Sequence, residues 1–171
     1  TSFAVLVLSL LMAAPMLADQ QSLTGIGEVV TAPEAGKNYV IQGNAQHDGI
    51  ITWLYDNNGT FAATVASEVP TGPDALKYVW TFEITDEGYA AKNLTTGSYI
   101  FIEGTSNGGS VKMRTEPFYF TIDVEGDEVG IKNASGRYID MGYSGAGPVT
   151  WDGGVAGSRR LTIYEAIVEG V

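Results

Sequence analysis

The chain has 171 residues, with 9 Lys and Arg against 20 Asp and Glu, one His, no Cys and 22 Gly. This length suits one domain or two small ones, and the net charge of −11 argues against nucleic-acid or anionic-lipid partners, which need a basic face. The absence of Cys excludes disulfides, thiolate zinc sites and cysteine nucleophiles, and a single His excludes a multi-histidine metal site.

The first predicted element is an apolar run over residues 3–14, interrupted only by Ser9. A membrane-spanning helix needs about 20 apolar residues, so this run is too short to cross a bilayer. Its length is typical of a secretory signal peptide, with Ala18 as the residue before cleavage. The alternative is a buried apolar helix. We predict a signal peptide over residues 1–18, truncated at its start, and a secreted, periplasmic or cell-surface protein with no membrane span in the mature chain.

The remaining chain is predicted to be rich in β-strands. Residues 19–36 are interpreted as a leader strand or linker, and residues 37–168 as the folded domain. All the Gly residues lie after the apolar run, among many Thr, Val, Ile and Tyr. This composition indicates short strands joined by tight turns. One helical turn is predicted at residues 75–77. Because the chain has no Cys, the domain must be stable through its apolar core alone.

An internal repeat at an offset of 40 residues organises this domain. Residues 78–93 align without gaps on residues 118–133. In the first copy Trp80, Phe82 and Ile84 alternate with polar residues, which is the period of two that a half-buried strand requires. An acidic turn containing Gly follows each of these strands and predicts a hairpin.

Further matches extend the repeat to three units. A Gly-x-Tyr-hydrophobic strand recurs at residues 97–100 and 136–139. A fainter third copy covers residues 38–63, and in its alignment Ile51 takes the position of Tyr99. The aromatic-strand pattern returns once more at the end of the domain. The chain therefore predicts three units of about 40–50 residues, closed by the last strand.

These units resemble a β-trefoil, and their motifs resemble the ricin-type lectin-like trefoils of bacterial secreted proteins. The motifs are Trp80-x-Phe82, Lys92-Asn93 and residues 96–100, and the resemblance covers residues 37–168. It implies that Trp80 and its equivalents form a central apolar layer and that sugar sites lie on loops. The Gln-x-Trp typical of the family lacks its Gln in all three units. The competing architecture is a β-sandwich carbohydrate-binding module, but the gapless repeat favours the trefoil.

Aromatic side chains beside acids are the candidate ligand-binding residues. Sugar rings have apolar C–H faces that pack on flat aromatics, while nearby polar groups fix the hydroxyls. In the resembling lectins, an acid on a loop such as that of Asp140 receives sugar hydroxyls. Trp151 falls on Met113 in the repeat and is also a candidate core residue. We predict that the site residues are Asp140, Tyr143, Trp151, Asp152, Trp53, Tyr55 and Asp56.

No catalytic residue, cofactor or metal site is predicted. His47 is interpreted as a turn residue, and most acids fall in turns where solvated charge is normal. The leading hypothesis is a non-catalytic carbohydrate-binding domain, alone or as the N-terminal module of a longer secreted protein. One alternative is a protein-binding trefoil such as a protease inhibitor, which would use the proline-stiffened loop at residues 66–75. Another is an accessory domain of a hydrolase whose catalytic part lies beyond Val171.

Overall fold

The computed structural model describes residues 20–45, 49–142 and 147–170. The predicted signal peptide, His47 and Tyr143 lie outside these ranges. The described residues form 13 β-strands and two short 3-10 helices, Pro73–Tyr78 and Gly157–Arg159. Neither helix of this described part has the length or apolar character needed to cross a membrane. The all-β prediction is confirmed.

One strand precedes three units of four strands each. The leading strand is β1 (Ser22–Val30). The first unit contains β2 (Asn38–Ala45), β3 (Ile50–Asn57), β4 (Thr60–Val65) and β5 (Trp80–Thr85). The second contains β6 (Gly88–Asn93), β7 (Tyr99–Ile102), β8 (Gly109–Arg114) and β9 (Thr121–Glu125). The third contains β10 (Glu128–Lys132), β11 (Tyr138–Asp140), β12 (Val149–Trp151) and β13 (Leu161–Glu169).

The first and last strands of each unit close a six-stranded antiparallel barrel, in the order β2, β5, β6, β9, β10 and β13, with β13 pairing back to β2. In each unit the first barrel strand pairs with the last barrel strand at an equivalent residue. The equivalent pairs are Tyr39 with Trp80, Tyr89 with Phe120, and Val129 with Leu161. The middle strands form three hairpins, β3–β4, β7–β8 and β11–β12. This threefold plan confirms the predicted β-trefoil.

The barrel interior is the apolar layer that the repeat predicts. Trp80, Phe120 and Leu161 occupy the equivalent positions and are fully buried. Phe82 packs edge-to-face against Phe120, with ring centroids 6.4 Å apart, and against Tyr39 at 5.5 Å. Edge-to-face pairs of this kind add stability beyond the apolar area that they bury. A shared aromatic layer thus holds the three units together without disulfides.

A second apolar cluster lies outside the barrel, beneath β1. This strand pairs antiparallel with β13, and its Leu23 is completely buried. Leu23 also exchanges two backbone hydrogen bonds with Gly72, at 2.8 and 3.1 Å. Trp53, Tyr78 and Val40 complete the cluster. The leading strand therefore covers an outer face of the barrel that would otherwise expose apolar side chains.

Strand register corrects one position of the predicted third copy. Gln42 of β2 pairs with Trp53, as Lys92 of β6 pairs with Tyr99. The residue equivalent to Tyr99 is therefore Trp53, and the prediction that Ile51 holds this place is wrong. Pairing between strands fixes such a register, and a single sequence without the pairing leaves it open.

Candidate functional site

Trp151, at the end of β12, is the one Trp whose ring reaches solvent, with 43% of its surface exposed. Its predicted match to Met113 is wrong by one residue. Tyr138 pairs with Trp151 as Tyr99 pairs with Arg114, so Trp151 corresponds to Arg114. A shift of one residue moves a side chain to the other face of a strand. The register thus turns Trp151 outward, away from the core.

Polar groups surround the exposed indole. Asp152 accepts a hydrogen bond from Asn107 Nδ2 at 3.2 Å and donates its own backbone N–H to Asn107 Oδ1 at 3.0 Å. Arg137 Nη1 lies 3.5 Å from the Asp152 carboxylate. Asp152 and Asn107 are both exposed. We call Trp151, Asp152, Asn107 and Arg137 the Trp151 patch, which combines an aromatic face with an acid, an amide and a guanidinium.

Pairing between two units assembles this patch. β8 and β12 pair through Ser110 and Val149, which brings the β7–β8 turn against the end of β12. Thr150 is fully buried, and its hydroxyl donates to the Ser106 carbonyl at 2.7 Å. The Gly108 N–H donates to the Thr150 carbonyl at 2.7 Å. These bonds hold Asn107 beside Asp152.

Asp140, at the end of β11, is connected to the patch through the loop that follows Asp152. Only 4% of Asp140 is exposed. Its carboxylate accepts hydrogen bonds from Ser158 Oγ at 2.6 Å, Arg159 Nη1 at 3.2 Å and the Gly142 N–H at 2.7 Å. Arg159 Nε then donates to the Gly154 carbonyl at 2.9 Å. Asp140 therefore orders the loop that follows Trp151 and Asp152, and we assign it a positioning role.

The second predicted group, Trp53, Tyr55 and Asp56, is packed into the domain. Trp53 and Asp56 are each 2% exposed. Asp56 accepts hydrogen bonds from the Gly59 N–H at 2.6 Å and from the Thr96 hydroxyl. The Tyr55 ring packs on Tyr78 at 5.0 Å. β3 pairs with β2 and β4, whereas β12 pairs with β8 and β11, so strand pairing does not bring this group beside Trp151.

The connection predicted as an inhibitory loop, residues 66–75, is anchored rather than free along its length. The Ala66 carbonyl accepts a hydrogen bond from Trp53 Nε1 at 3.1 Å, and Gly72 is bonded to Leu23. Val69 packs against the outer apolar cluster, while Ser67 and Glu68 are exposed. Protein binding through this segment stays a prediction.

Sequence reasoning missed Asn107 and Arg137. Asn107 is 45 residues from its partner Asp152, and only the β8–β12 pairing brings them together. Arg137 is visible in the repeated Gly-x-Tyr strand, but nothing in that pattern marks it as a neighbour of Trp151. Across residues 20–45, 49–142 and 147–170, no three His, Asp or Glu side chains are grouped closely enough to hold a metal ion.

Comparison with known proteins identifies the fold. No family model and no curated sequence matches the chain. A ricin B-like lectin from Macrolepiota procera, solved with lactose, matches with a TM-score of 0.59 and 20% identity, over 78% of this chain and 98% of that chain. ThreeFoil, a designed threefold-symmetric protein, matches with a TM-score of 0.58 and 17% identity, over 75% and 98%.

The same fold also occurs inside a longer enzyme. An endo-β-galactosidase from Clostridium perfringens that releases GlcNAcα1-4Gal matches with a TM-score of 0.58 and 17% identity. The match covers 77% of this chain but only 33% of the enzyme. At these identities the likeness shows a shared trefoil fold, and binding properties must be argued from this chain's own residues.

Proposed function

We propose that this chain is a non-catalytic, lectin-like domain that binds carbohydrate at the Trp151 patch. The observation that carries the proposal is the exposure of Trp151, 43% for the whole residue, next to an acid and an amide that are already hydrogen-bonded in place. The indole would stack on the apolar face of a sugar ring, and Asp152 would accept hydrogen bonds from its hydroxyls. The trefoil neighbours, one of them solved with lactose, support this class of ligand.

Preorganisation supports the same conclusion. Asn107 and Arg137 hold the Asp152 carboxylate, while Asp140 and Arg159 order the following loop. A ligand would therefore pay little ordering entropy when it binds this patch. Arg137 and Asn107 also supply donors for the ring or hydroxyl oxygens of a sugar. The likeness of the fold to a ricin B-like lectin supports binding without chemistry.

A glycan array tests the proposal. We expect the folded chain to bind a subset of glycans, and Trp151→Ala to weaken that binding about 5- to 30-fold, because one stacked aromatic contributes roughly 1–2 kcal/mol. Ile84→Ala is the matched control, since Ile84 is a similarly exposed apolar residue, at 46%, on the distant strand β5. Absence of binding to every glycan, or equal binding by wild type and Trp151→Ala, would contradict the proposal.

Export is proposed on sequence grounds. The apolar run over residues 3–14 and the small residues after it are typical of a cleaved signal peptide. Mass spectrometry of the protein recovered from its natural producer provides the test. A mature N-terminus at Asp19 in the extracellular or periplasmic fraction is the expected result. An intact apolar run in protein recovered from the cytoplasm would exclude export.

An accessory role in a hydrolase is the second candidate. It is favoured by the endo-β-galactosidase, in which the matching region is about a third of the chain. In that role the Trp151 patch would hold a glycan near a catalytic domain that follows Val171. Sequencing the gene past the codon for Val171 decides between the two. A following domain with paired catalytic carboxylates supports the accessory role, and a stop codon removes it.

A further inference from the structure

Two of the three junctions between units carry the same group of side chains on the outer barrel wall. In each group a Lys nitrogen lies over a Tyr ring, and the Tyr hydroxyl donates to a carboxylate. The groups are Lys92, Tyr99 and Glu83 at one junction and Lys132, Tyr138 and Asp123 at the other. Lys132 Nζ also lies 2.8 Å from the Asp123 carboxylate. These contacts satisfy the polar groups and fill the surface at both junctions.

The third junction breaks this pattern. Register places Gln42, Trp53 and Tyr164 at the positions of the Lys, the Tyr and the acid. The Trp53 and Tyr164 rings lie 6.1 Å apart. Within the described ranges, neither the Gln42 amide nor the Tyr164 hydroxyl has a hydrogen-bond partner. At this junction the Lys and the acid of the other two junctions are therefore replaced by the Gln42 amide and the Tyr164 ring, and the polar groups of both lack a hydrogen-bond partner in the described part of the chain.

A cleft opens at this third junction. It encloses about 460 Å³, and we call it the β1 cleft; its lining includes Ile26, Gln42, Trp53, Glu68, Val69 and Tyr164. β1 forms one wall and the connection after β4 forms the other. β1 has no counterpart in the other units, and the connection after β4 is longer than the connections after β8 and β12. Hydrogen bonds between Leu23 and Gly72 join the two walls, and Trp53 Nε1 bonds to Ala66, so the cleft is built by fixed backbone.

The residues that line the β1 cleft indicate which class of ligand it can bind. Among the described residues no Lys or Arg lines the cleft, whereas Glu68 does, and the whole chain carries a net charge of −11, so an anionic ligand is disfavoured. The partly exposed Tyr164 ring and the Ile26 and Val69 side chains lie beside the Gln42 amide and beside Thr and Ser hydroxyls, which fits a ligand having both C–H faces and many hydroxyls. From this lining we propose that the β1 cleft binds an uncharged saccharide of one or two rings, independently of the Trp151 patch.

NMR titration tests the proposal on the full chain. The probes are the methyl glycosides of galactose, glucose, mannose, xylose and N-acetylglucosamine, each added separately. The readouts are the indole N–H of Trp53 and the side-chain amide of Gln42, while the Trp151 indole reports the other patch. We expect at least one probe to shift the Trp53 and Gln42 signals in a saturable way. These shifts should persist in Trp151→Ala, even if no glycan binds the Trp151 patch.

A double variant designed to close the β1 cleft supplies the control. Gln42→Lys with Tyr164→Glu installs the Lys and the acid that occupy these positions at the other two junctions, so the fold should tolerate it. We expect the apparent affinity at the cleft to fall at least about tenfold in this variant and in the milder Gln42→Ala. The proposal is overturned if none of the five probes shifts Trp53 and Gln42, if Trp151→Ala abolishes the shifts, or if the folded variants retain wild-type affinity.

Discussion

Asp140 shows how one residue can match a binding pattern and yet serve the structure. The sequence suggests a sugar contact, but the side chain is buried and receives three hydrogen bonds. Asp140→Ala would leave the guanidinium of Arg159 buried without its carboxylate partner. We expect a loss of about 3 kcal/mol in the free energy of unfolding. Urea denaturation measures it, with Asp86→Ala, in an exposed turn, as the control that should change stability by less than about 0.5 kcal/mol.

The hydrogen bond from the Tyr99 hydroxyl to Glu83 makes the free energy of unfolding depend on pH in the alkaline range. The bond to Glu83, followed by burial, raises the pKa of Tyr99 to about 12. An unfolded Tyr titrates near pH 10, so the native state holds this proton more tightly. The stabilising contribution is complete below about pH 10 and is lost as the pH rises through about 12.

Tyr99→Phe should therefore flatten the alkaline limb of the stability curve between these two pH values. Urea denaturation across a pH series measures the slope. Tyr55→Phe is the control, because the Tyr55 hydroxyl has no hydrogen bond within the described ranges. An unchanged alkaline slope in Tyr99→Phe would show that the bond to Glu83 does not contribute.

At the scale of the element, hairpin turns fix where each strand begins. Gly88 opens β6 with a φ of +123°, a conformation that residues other than Gly rarely adopt. A Cβ at this position would also collide with the Phe120 carbonyl, which accepts the barrel-closing bond from the Tyr89 N–H at 3.0 Å. Gly126 occupies the next acidic turn with a φ of +64° and open space around it.

Two glycine substitutions separate these effects. Gly88→Ala should cost more than about 3 kcal/mol of stability, because strain and a backbone clash combine. Gly126→Ala should cost about 1 kcal/mol, the usual penalty for a left-handed Ala. Thermal or urea unfolding of both variants measures the difference. Equal losses would mean that the contact with Phe120 is not what restricts Gly88.

The strands themselves were largely predictable, and their register was not. Alternation along residues 80–84 and the repeat indicate the barrel strands and the trefoil, because both depend on local pattern. The repeat aligns Trp151 with Met113, one residue away from Arg114, because sequence similarity alone does not fix the hydrogen-bonded register. Asn107 reaches the patch only through the β8–β12 pairing, a long-range contact that no local pattern encodes.

The group of Trp53, Tyr55 and Asp56 shows a second limit of the sequence. Trp53 and Tyr55 are two residues apart and therefore lie on one face of β3. That face is covered by the helical turn at Pro73–Tyr78 and, at Trp53, lies beneath β1. A strand pattern reports which side chains share a face but not what packs on it. The same covering strand, together with the open third junction, creates the β1 cleft.

At the scale of the whole molecule, the outer apolar cluster ties the leading strand to the barrel. Leu23 is completely buried, and one buried Leu contributes about 1.5–3 kcal/mol. A chain that begins at Asn38 should therefore be less stable than one that begins at Gln20 by at least about 3 kcal/mol, because it also exposes Trp53 and Val40. Urea denaturation of the two chains checks this. Equal midpoints would show that β1 does not contribute to stability.

The trefoil barrel supplies the rigid support for the Trp151 patch, since two hairpins from different units meet there. The central claim is that this patch binds carbohydrate. The most direct measurement is a crystal structure of the chain with the best-binding oligosaccharide from the glycan array. We predict a sugar ring stacked on the Trp151 indole with a hydroxyl bonded to the Asp152 carboxylate. A sugar bound elsewhere, with the Trp151 indole still exposed to solvent, would contradict the claim.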